Sequence, residues 1–338
     1  MSTKQPQSVL SGMRPTGKLH LGHYHGALKN WVKLQQDYAC FYFVADWHAL
    51  TTHYEDRDII GQNVWDMVID WLAAGVDPDR ACIFIQSRVP EHAELHLLLS
   101  MITPLGWLER VPSFKDQQDK LKDRDLNTYG FLGYPLLQSA DILIYRASCV
   151  PVGEDQVAHV ELTREVARRF NHLYGGPSRQ AILTEPQALL TPESKIPGLD
   201  GQKMSKSYGN AITLRDDPAE VEKKLRTMPT DPARVRRTDP GEPEKCPVWQ
   251  FHKVYSDADT RAWVQQGCRS AGIGCIDCKR PVIDAVKAEL APMREQAREL
   301  EARPQQVRDI VEAGCQQARA VAADTLADVR TAMGLGYR

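Results

Sequence analysis

Apolar positions in the first half of the chain follow two alternating rhythms. Unbroken apolar runs in CFYFVADW, beginning at Cys40, and in CIFIQS, beginning at Cys82, predict strands buried on both faces. SVLSGM and CVPVGED are shorter runs of the same kind. Between them the spacing becomes helical. HLGHYHGALKNWVKLQQ repeats through Leu21, Tyr24, Leu28, Trp31 and Val32, and DIIGQNVWDMVIDWLAAG closes at Gly75. EHAELHLLLSMI, LGYPLLQSADILIYRA and DQVAHVELTREVARRFNHLYG predict further helices, the last ending at Gly175. Strands alternating with helices of this length predict an α/β fold with a doubly wound, parallel, Rossmann-type sheet. A ligand then belongs at the carboxyl ends of the strands, in loops that lead to helix N-termini.

The texture changes near residue 210. LTPESKIPGLDGQKMSKSYGN is a Gly/Lys/Ser-rich loop. DPAEVEKKLRTM is a helix with acidic residues at its start, as the helix dipole favours, and Pro281 to Gly334 is helical nearly throughout. Two domains are expected, residues 1–209 with the Rossmann-type sheet and residues 210–338 helical, the last helix packing back on the first domain.

A net charge of −2 excludes a strong global attraction to nucleic acid and leaves only local patches. The polar start MSTKQPQSVLSG has no basic stretch followed by an apolar core, and no apolar run is long enough to span a bilayer, so a cytoplasmic location without membrane partners is expected. In that reducing compartment the eight cysteines argue against a disulfide framework. Cys40, Cys82, Cys149 and Cys315 read as buried inert thiols.

Two segments carry chemistry. RPTGKLHLGH, Arg14 to His23, is a strand-to-helix turn in which Gly17 and Gly22 allow close approach of the backbone to a ligand. His20 and His23 there are suited to donate to phosphate oxygens as charge shifts in a transition state. KMSKS places Lys203 and Lys206 among hydroxyls on a Gly-flanked loop, which suits a pyrophosphate leaving group. Each segment alone is also explained as solvated surface, but the two in this order on an α/β pattern resemble the marker motifs of the class I aminoacyl-tRNA synthetases. GYPLLQSADILIY and VPVGEDQVAHVELTREVARRFN extend the resemblance, over nearly the whole chain, to the bacterial tryptophanyl-tRNA synthetases.

Asp141 is an acceptor-only carboxylate on a mostly apolar helix face, able to receive an indole N–H or a tyrosine hydroxyl. Residue chemistry thus leaves tryptophan and tyrosine open, and the resemblance favours tryptophan. It further implies that Tyr134 and Gln156 hold the substrate amino group while His48, Val150 and Val152 line the pocket. Arg14, Pro15, Thr16, Gly22, His23, Gly153, Glu154, Asp155, Ile196, Lys203, Met204, Ser205, Lys206 and Ser207 would contact ATP, which brings Mg²⁺. The chain departs from many relatives in having Arg14 for Gln and Gln138 for Met. Arg14 adds a fixed charge beside a triphosphate, and Gln138 makes the pocket more polar. With DWHALTTHY and TDPARVRRTDPG, these departures resemble a Thermotoga-type branch. The implied activity is ligation of tryptophan to tRNA(Trp) by a homodimer; a tyrosine enzyme or a catalytically silent RNA-binding relative is the alternative. The helical domain would read the anticodon, with Lys223, Lys224, Arg226, Arg234, Arg236 and Arg237 meeting the tRNA backbone or forming a solvated helix end.

Four cysteines remain. Cys246, Cys268, Cys275 and Cys278 follow C-x21-C-x6-C-x2-C, with one C-x2-C pair where a zinc ribbon has two. Three close cysteines and a distant fourth suit a [4Fe–4S] cluster better than Zn²⁺, and the Thermotoga-type resemblance points the same way.

Overall fold

The computed structural model describes residues 7–55, 57–111, 126–175, 181–190, 196–205 and 208–337. Five parallel strands, β1 (Ser8–Met13), β2 (Ala39–Val44), β3 (Ala81–Ile85), β4 (Cys149–Val152) and β5 (Gln187–Leu190), lie in the order β3-β2-β1-β4-β5. Helices cover both sides, so the predicted doubly wound α/β fold is what forms. β2 and β3 are almost wholly buried, which is why they read as unbroken apolar runs. β5 was not foreseen. It is a short edge strand whose side chains are only partly buried, too brief to set up a rhythm.

Register places the site. β1 and β2 pair along their whole length, from Ser8↔Ala39 to Met13↔Val44. β1 and β4 pair only at Val9↔Cys149, so the two strands part toward their carboxyl ends. That divergence, at the point where strand order reverses, opens the crevice expected of such sheets.

The chain leaves β1 through α1 (Leu21–His23), a π-helical turn (Tyr24–Leu28) and α2 (Lys29–Leu34). Trp31 of α2 stacks on Tyr42, with ring centroids 4.2 Å apart, and meets Trp71 edge-on at 5.1 Å. After β2 come α3 (Asp46–His53) and α4 (Arg57–Ala73), and Gly75 ends that run with φ +101°. α5 (Glu91–Ser100), α6 (Leu105–Glu109), α7 (Tyr129–Ile144) and α8 (Val157–Tyr174) complete the first part. The Thr128 hydroxyl caps α7 by accepting from the Phe131 N–H.

The remainder is helical: α9 (Pro218–Thr227), α10 (Pro247–Tyr255), α11 (Ala258–Arg269), α12 (Cys275–Glu301) and α13 (Pro304–Ala332). α13 lies along the free edge of β3, and a Cβ on Gly314 would fall 1.9 Å from the Ile83 carbonyl oxygen. The Cys82 thiol donates to the Gly314 carbonyl at 3.2 Å. A glycine is needed here for the helix to seal an otherwise open sheet edge. One apolar core runs from the sheet through Val286 and Leu290 of α12 to Val311 and Leu326 of α13. No helix among the described residues is long and apolar enough to cross a membrane.

Candidate active site

A cavity of about 360 Å³ opens where β1 and β4 diverge. β1 and its continuation supply Leu10 to Arg14, β4 supplies Val150 to Gly153, and α7 supplies Tyr134, Gln138 and Asp141. His48 of α3, Gln156 and His159 complete much of the wall. Gly12 forms the floor because nothing larger fits: a Cβ there would lie 2.6 Å from the Phe43 ring. The Arg14 guanidinium is surrounded by protein yet open to the cavity, and no carboxylate among the described residues pairs with it. Burial draws its pKa below the usual arginine value, against an opposing effect of Tyr134. It remains a cation aimed into the site.

Asp141 is completely buried and accepts three hydrogen bonds. Its Oδ1 takes the Gln86 side-chain N–H at 2.8 Å and His92 Nδ1 at 2.6 Å. Its Oδ2 takes His48 Nε2 at 2.7 Å. Burial alone would push the carboxyl up, but His48 and His92 outweigh it and hold Asp141 well below the usual carboxylate range. Both histidines must donate to an ionised partner. With Nδ1 so used, the Nε2 of His92 is hydrogen-bonded to the Tyr145 hydroxyl, 2.7 Å away. Gln86, His92 and Tyr145 escaped the reading of the sequence, as did His159. The one available signal was position, since Gln86 follows directly from the carboxyl end of β3. His159, buried beside the Tyr134 ring, is pulled down to about 4 by its burial and by His48, so it is neutral near pH 7.

The two motif segments meet beside this cavity. The His20 and His23 rings stack with centroids 3.7 Å apart, His20 buried and His23 exposed. The Leu21 N–H donates to the Ile212 carbonyl and the Leu214 N–H to the Leu19 carbonyl, each at 3.0 Å. The segment leaving the lysine loop is thus laced to the histidine turn. A Cβ on Gly22 would sit 3.0 Å from the His20 ring and 3.5 Å from Met204 Cβ, which shows how closely the two approach. Of the predicted site residues, Arg14, His48, Tyr134, Gln138, Asp141, Val150, Val152, Gly153 and Gln156 line the cavity. Pro15, Thr16, His20, Gly22, His23, Glu154, Asp155, Ile196, Lys203, Met204 and Ser205 do not line it; Lys206 and Ser207 lie outside the described residues.

Farther away, Cys268 is buried and Cys246, Cys275 and Cys278 are half-buried. Burial, then the nearness of Cys246, Cys268 and Cys275, pushes the Cys278 thiol up to about 12. His252 Nε2 lies 3.5 Å from Cys278 Sγ, and Arg234 Nη1 lies 3.8 Å from Cys268 Sγ. Among the described residues no three His, Cys, Asp or Glu side chains stand as a set that would hold a metal ion. The basic segment divides. Arg234 is buried and donates to the carbonyls of Arg237 and Ile273. Lys224 pairs with Asp216 at 2.6 Å and Arg226 with Glu222 at 3.3 Å. Lys223, Arg236 and Arg237 are exposed.

A family model described as class I tRNA synthetases (W and Y) matches residues 1–291. A tryptophan–tRNA ligase of Ralstonia nicotianae is 59% identical over 98% of this chain and 99% of its own length. That of Thermotoga maritima is 54% identical over 97% and 99% respectively. Among solved structures, a tryptophanyl-tRNA synthetase from Campylobacter jejuni, complexed with ADP and tryptophan, superposes with a TM-score of 0.85 at 33% identity. The match covers 97% of this chain and 100% of that one.

Proposed function

The chain belongs to the class I tRNA synthetases for tryptophan and tyrosine, and on that premise we propose how it recognises and activates its substrate. It is a tryptophan–tRNA ligase that consumes ATP. The observation that carries the assignment of its specificity is the buried Asp141 carboxyl group with three donors converging on it. A carboxylate offers about two lone pairs per oxygen. Both on Oδ1 are taken and one on Oδ2 is taken, so a single acceptor position faces the cavity. An indole N–H, which only donates, matches it.

Tyr134 and Gln156 then meet the substrate ammonium, and His48, Gln138, Val150 and Val152 enclose the ring. The tryptophan carboxylate attacks the α-phosphorus of ATP in line, the bond to the β-phosphate oxygen breaks, and pyrophosphate leaves. The terminal ribose hydroxyl of the tRNA next attacks the carbonyl carbon and AMP departs. The chemistry asks for positioning and charge stabilisation rather than a strong base. His20, His23, Lys203 and Lys206 supply charge at the departing phosphates, and Arg14 adds a cation on the cavity side. The ATP arrives with Mg²⁺, which neutralises part of the triphosphate charge. Pro15, Thr16, Gly22, Gly153 to Asp155, Ile196, Met204, Ser205 and Ser207 frame the nucleotide.

Residues 1–209 serve as the catalytic domain and residues 210–338 as the tRNA-reading domain, with Lys223, Arg236 and Arg237 toward the RNA backbone. Cys246, Cys268, Cys275 and Cys278 hold a [4Fe–4S] cluster. The support is the donor set, four cysteines of which Cys278 lies near the other three. Among the described residues they do not stand as a ready metal-holding set. A homodimer is supported by four exposed apolar side chains, Leu97, Met101, Leu105 and Tyr129, on or beside helices α5, α6 and α7, which pack together.

Pyrophosphate exchange across a panel of amino acids tests the activity. Exchange with tryptophan and none with phenylalanine is expected, and exchange preferring tyrosine would overturn the specificity. Iron, sulfide and zinc analysis of anaerobically purified protein decides the cluster, since colourless zinc protein would exclude iron–sulfur.

A further inference from the structure

Helix α12 belongs to the helical part of the chain, yet two of its carboxylates end at the catalytic segments. Glu289 Oε2 lies 2.8 Å from His25 Nε2 and accepts from the Tyr255 hydroxyl at 2.6 Å. Tyr255 in turn stands 3.0 Å from the same His25 nitrogen. Lys29 Nζ reaches the other Glu289 oxygen at 3.4 Å. His25 is buried and sits in the π-helical turn that continues directly from His23. π turns insert an extra residue into a helix and recur at functional places.

Near the end of the same helix, Glu301 accepts from Arg215 Nη1. Arg215 follows the Ile212 to Leu214 segment that is laced to the histidine turn. The Arg215 guanidinium also lies 2.8 Å from Asp70 Oδ1 and 2.8 Å from Asp66 Oδ1. Buried Asp70 accepts the Leu19 N–H at 3.0 Å. The histidine turn and the segment that follows the lysine loop are therefore both joined to one helix through directional polar contacts.

We propose that Glu289, through His25 and Tyr255, is a positioning residue for adenylate formation, with Glu301 and Arg215 as a second tie. Half-buried and exposed polar pairs of this kind add little stability, since solvent screens them, and an apolar contact would join the two parts as well. What they add is direction. The Glu289 tie meets the chain at His25, two residues beyond His23, so a shift of α12 is delivered to His20 and His23 rather than absorbed by soft packing. The helix is thereby part of the frame of the adenylation site and not only of the tRNA-reading part.

The test is tryptophan-dependent pyrophosphate exchange by full-length Glu289→Gln, which keeps size and an acceptor but loses the charge. The inference rests on the activity proposed above; wild-type exchange tests that separately, and its absence would sink the activity rather than the tie. The expected result is a kcat lower by between about tenfold and a hundredfold, as for small misplacements, with KM for tryptophan unchanged within about twofold. His25→Gln added to Glu289→Gln should lower kcat little further, because both break one tie. Unchanged kcat overturns the proposal, as does multiplication of the two effects. So does a parallel fall in every parameter that tracks the folded fraction in a melt. If Glu289→Gln does not fold, Tyr255→Phe, which removes one hydroxyl, decides by the same split between kcat and KM.

Discussion

Replacing Asp141 by Asn tests the specificity argument with least damage to the fold. Alanine would strand three buried donors, those of His48, Gln86 and His92, each costing about 1–3 kcal/mol. Asparagine keeps one oxygen where Gln86 and His92 donate and puts an amide N–H₂ where His48 Nε2 and the indole N–H converge. His48 can answer by changing tautomer, but the indole cannot. It loses a charge-assisted bond of about 1.5–3 kcal/mol and meets a donor left buried without a partner, about 1–3 kcal/mol more. At 1.36 kcal/mol per factor of ten, a loss of roughly 3–5 kcal/mol lowers kcat/KM for tryptophan by roughly 10²–10⁴. Pyrophosphate exchange measures it, with the analogue in which sulfur replaces the indole N–H as the second substrate. The unsubstituted enzyme should reject that analogue strongly, whereas Asp141→Asn should treat both within about tenfold, since the missing N–H no longer matters. A variant that keeps kcat/KM within about threefold, or that still discriminates fully, refutes the role of Asp141.

Other expectations follow from particular contacts. Gly314→Ala should destabilise the chain by about 2 kcal/mol or more in denaturant unfolding, overpacking against the Ile83 backbone outweighing the roughly 1 kcal/mol a helix gains from alanine. His159, held down to about 4, should show no ring titration by NMR above pH 5. It takes up its proton only on unfolding between about pH 6.5 and 4, so it withdraws stability as pH falls through that window. Reversing Arg236 and Arg237 to Glu should weaken tRNA binding at low salt and flatten its salt dependence, by filter binding at several salt concentrations; unchanged affinity removes them from the interface. Lys206→Ala should cut adenylate formation far more than tryptophan binding, because its charge matters most as pyrophosphate leaves; equal loss in pre-steady-state adenylation and equilibrium binding rejects that role.

Much of this was legible in the sequence for a definite reason. Strands buried on both faces, such as Phe41 to Val44 and Cys82 to Ile85, carry no polar interruption and announce themselves. Helices with one apolar stripe, α8 above all, do the same. The π turn left no trace, because Leu21, Tyr24, Leu28 and Trp31 keep helical spacing across it. The motif residues were read as a set, but not the backbone lacing of Leu19 and Leu21 to Ile212 and Leu214, which depends on a return of the chain across nearly two hundred residues. Arg234, grouped in the sequence with residues that meet the tRNA backbone or form a solvated helix end, is buried. A run of arginines looks like surface, and only the carbonyls of Arg237 and Ile273 and the sulfur of Cys268 give this one a reason to turn inward.

The least legible part of the site is what surrounds Asp141, and the reason is energetic rather than statistical. A lone carboxylate on an apolar face predicts a protonated or salt-bridged group, since burial alone raises its pKa. It stays ionised here because His48, Gln86 and His92, from two helices and a strand end far away in sequence, together outweigh the cost of burial. An arginine in their place would also hold the charge, but its fork would bind both oxygens and leave nothing for a ligand. Histidine and glutamine donors spend one hydrogen each, and the Tyr145 hydroxyl fixes the far side of His92. Separate, directional donors therefore keep Asp141 charged and leave one lone pair for a ligand, a combination a bidentate partner could not give. Substituting His92 by Asn, which keeps a short donor but loses the link to Tyr145, should raise KM for tryptophan while leaving KM for ATP unchanged in the exchange assay. Equal rises in both would mean that the network serves the fold and not the choice of amino acid.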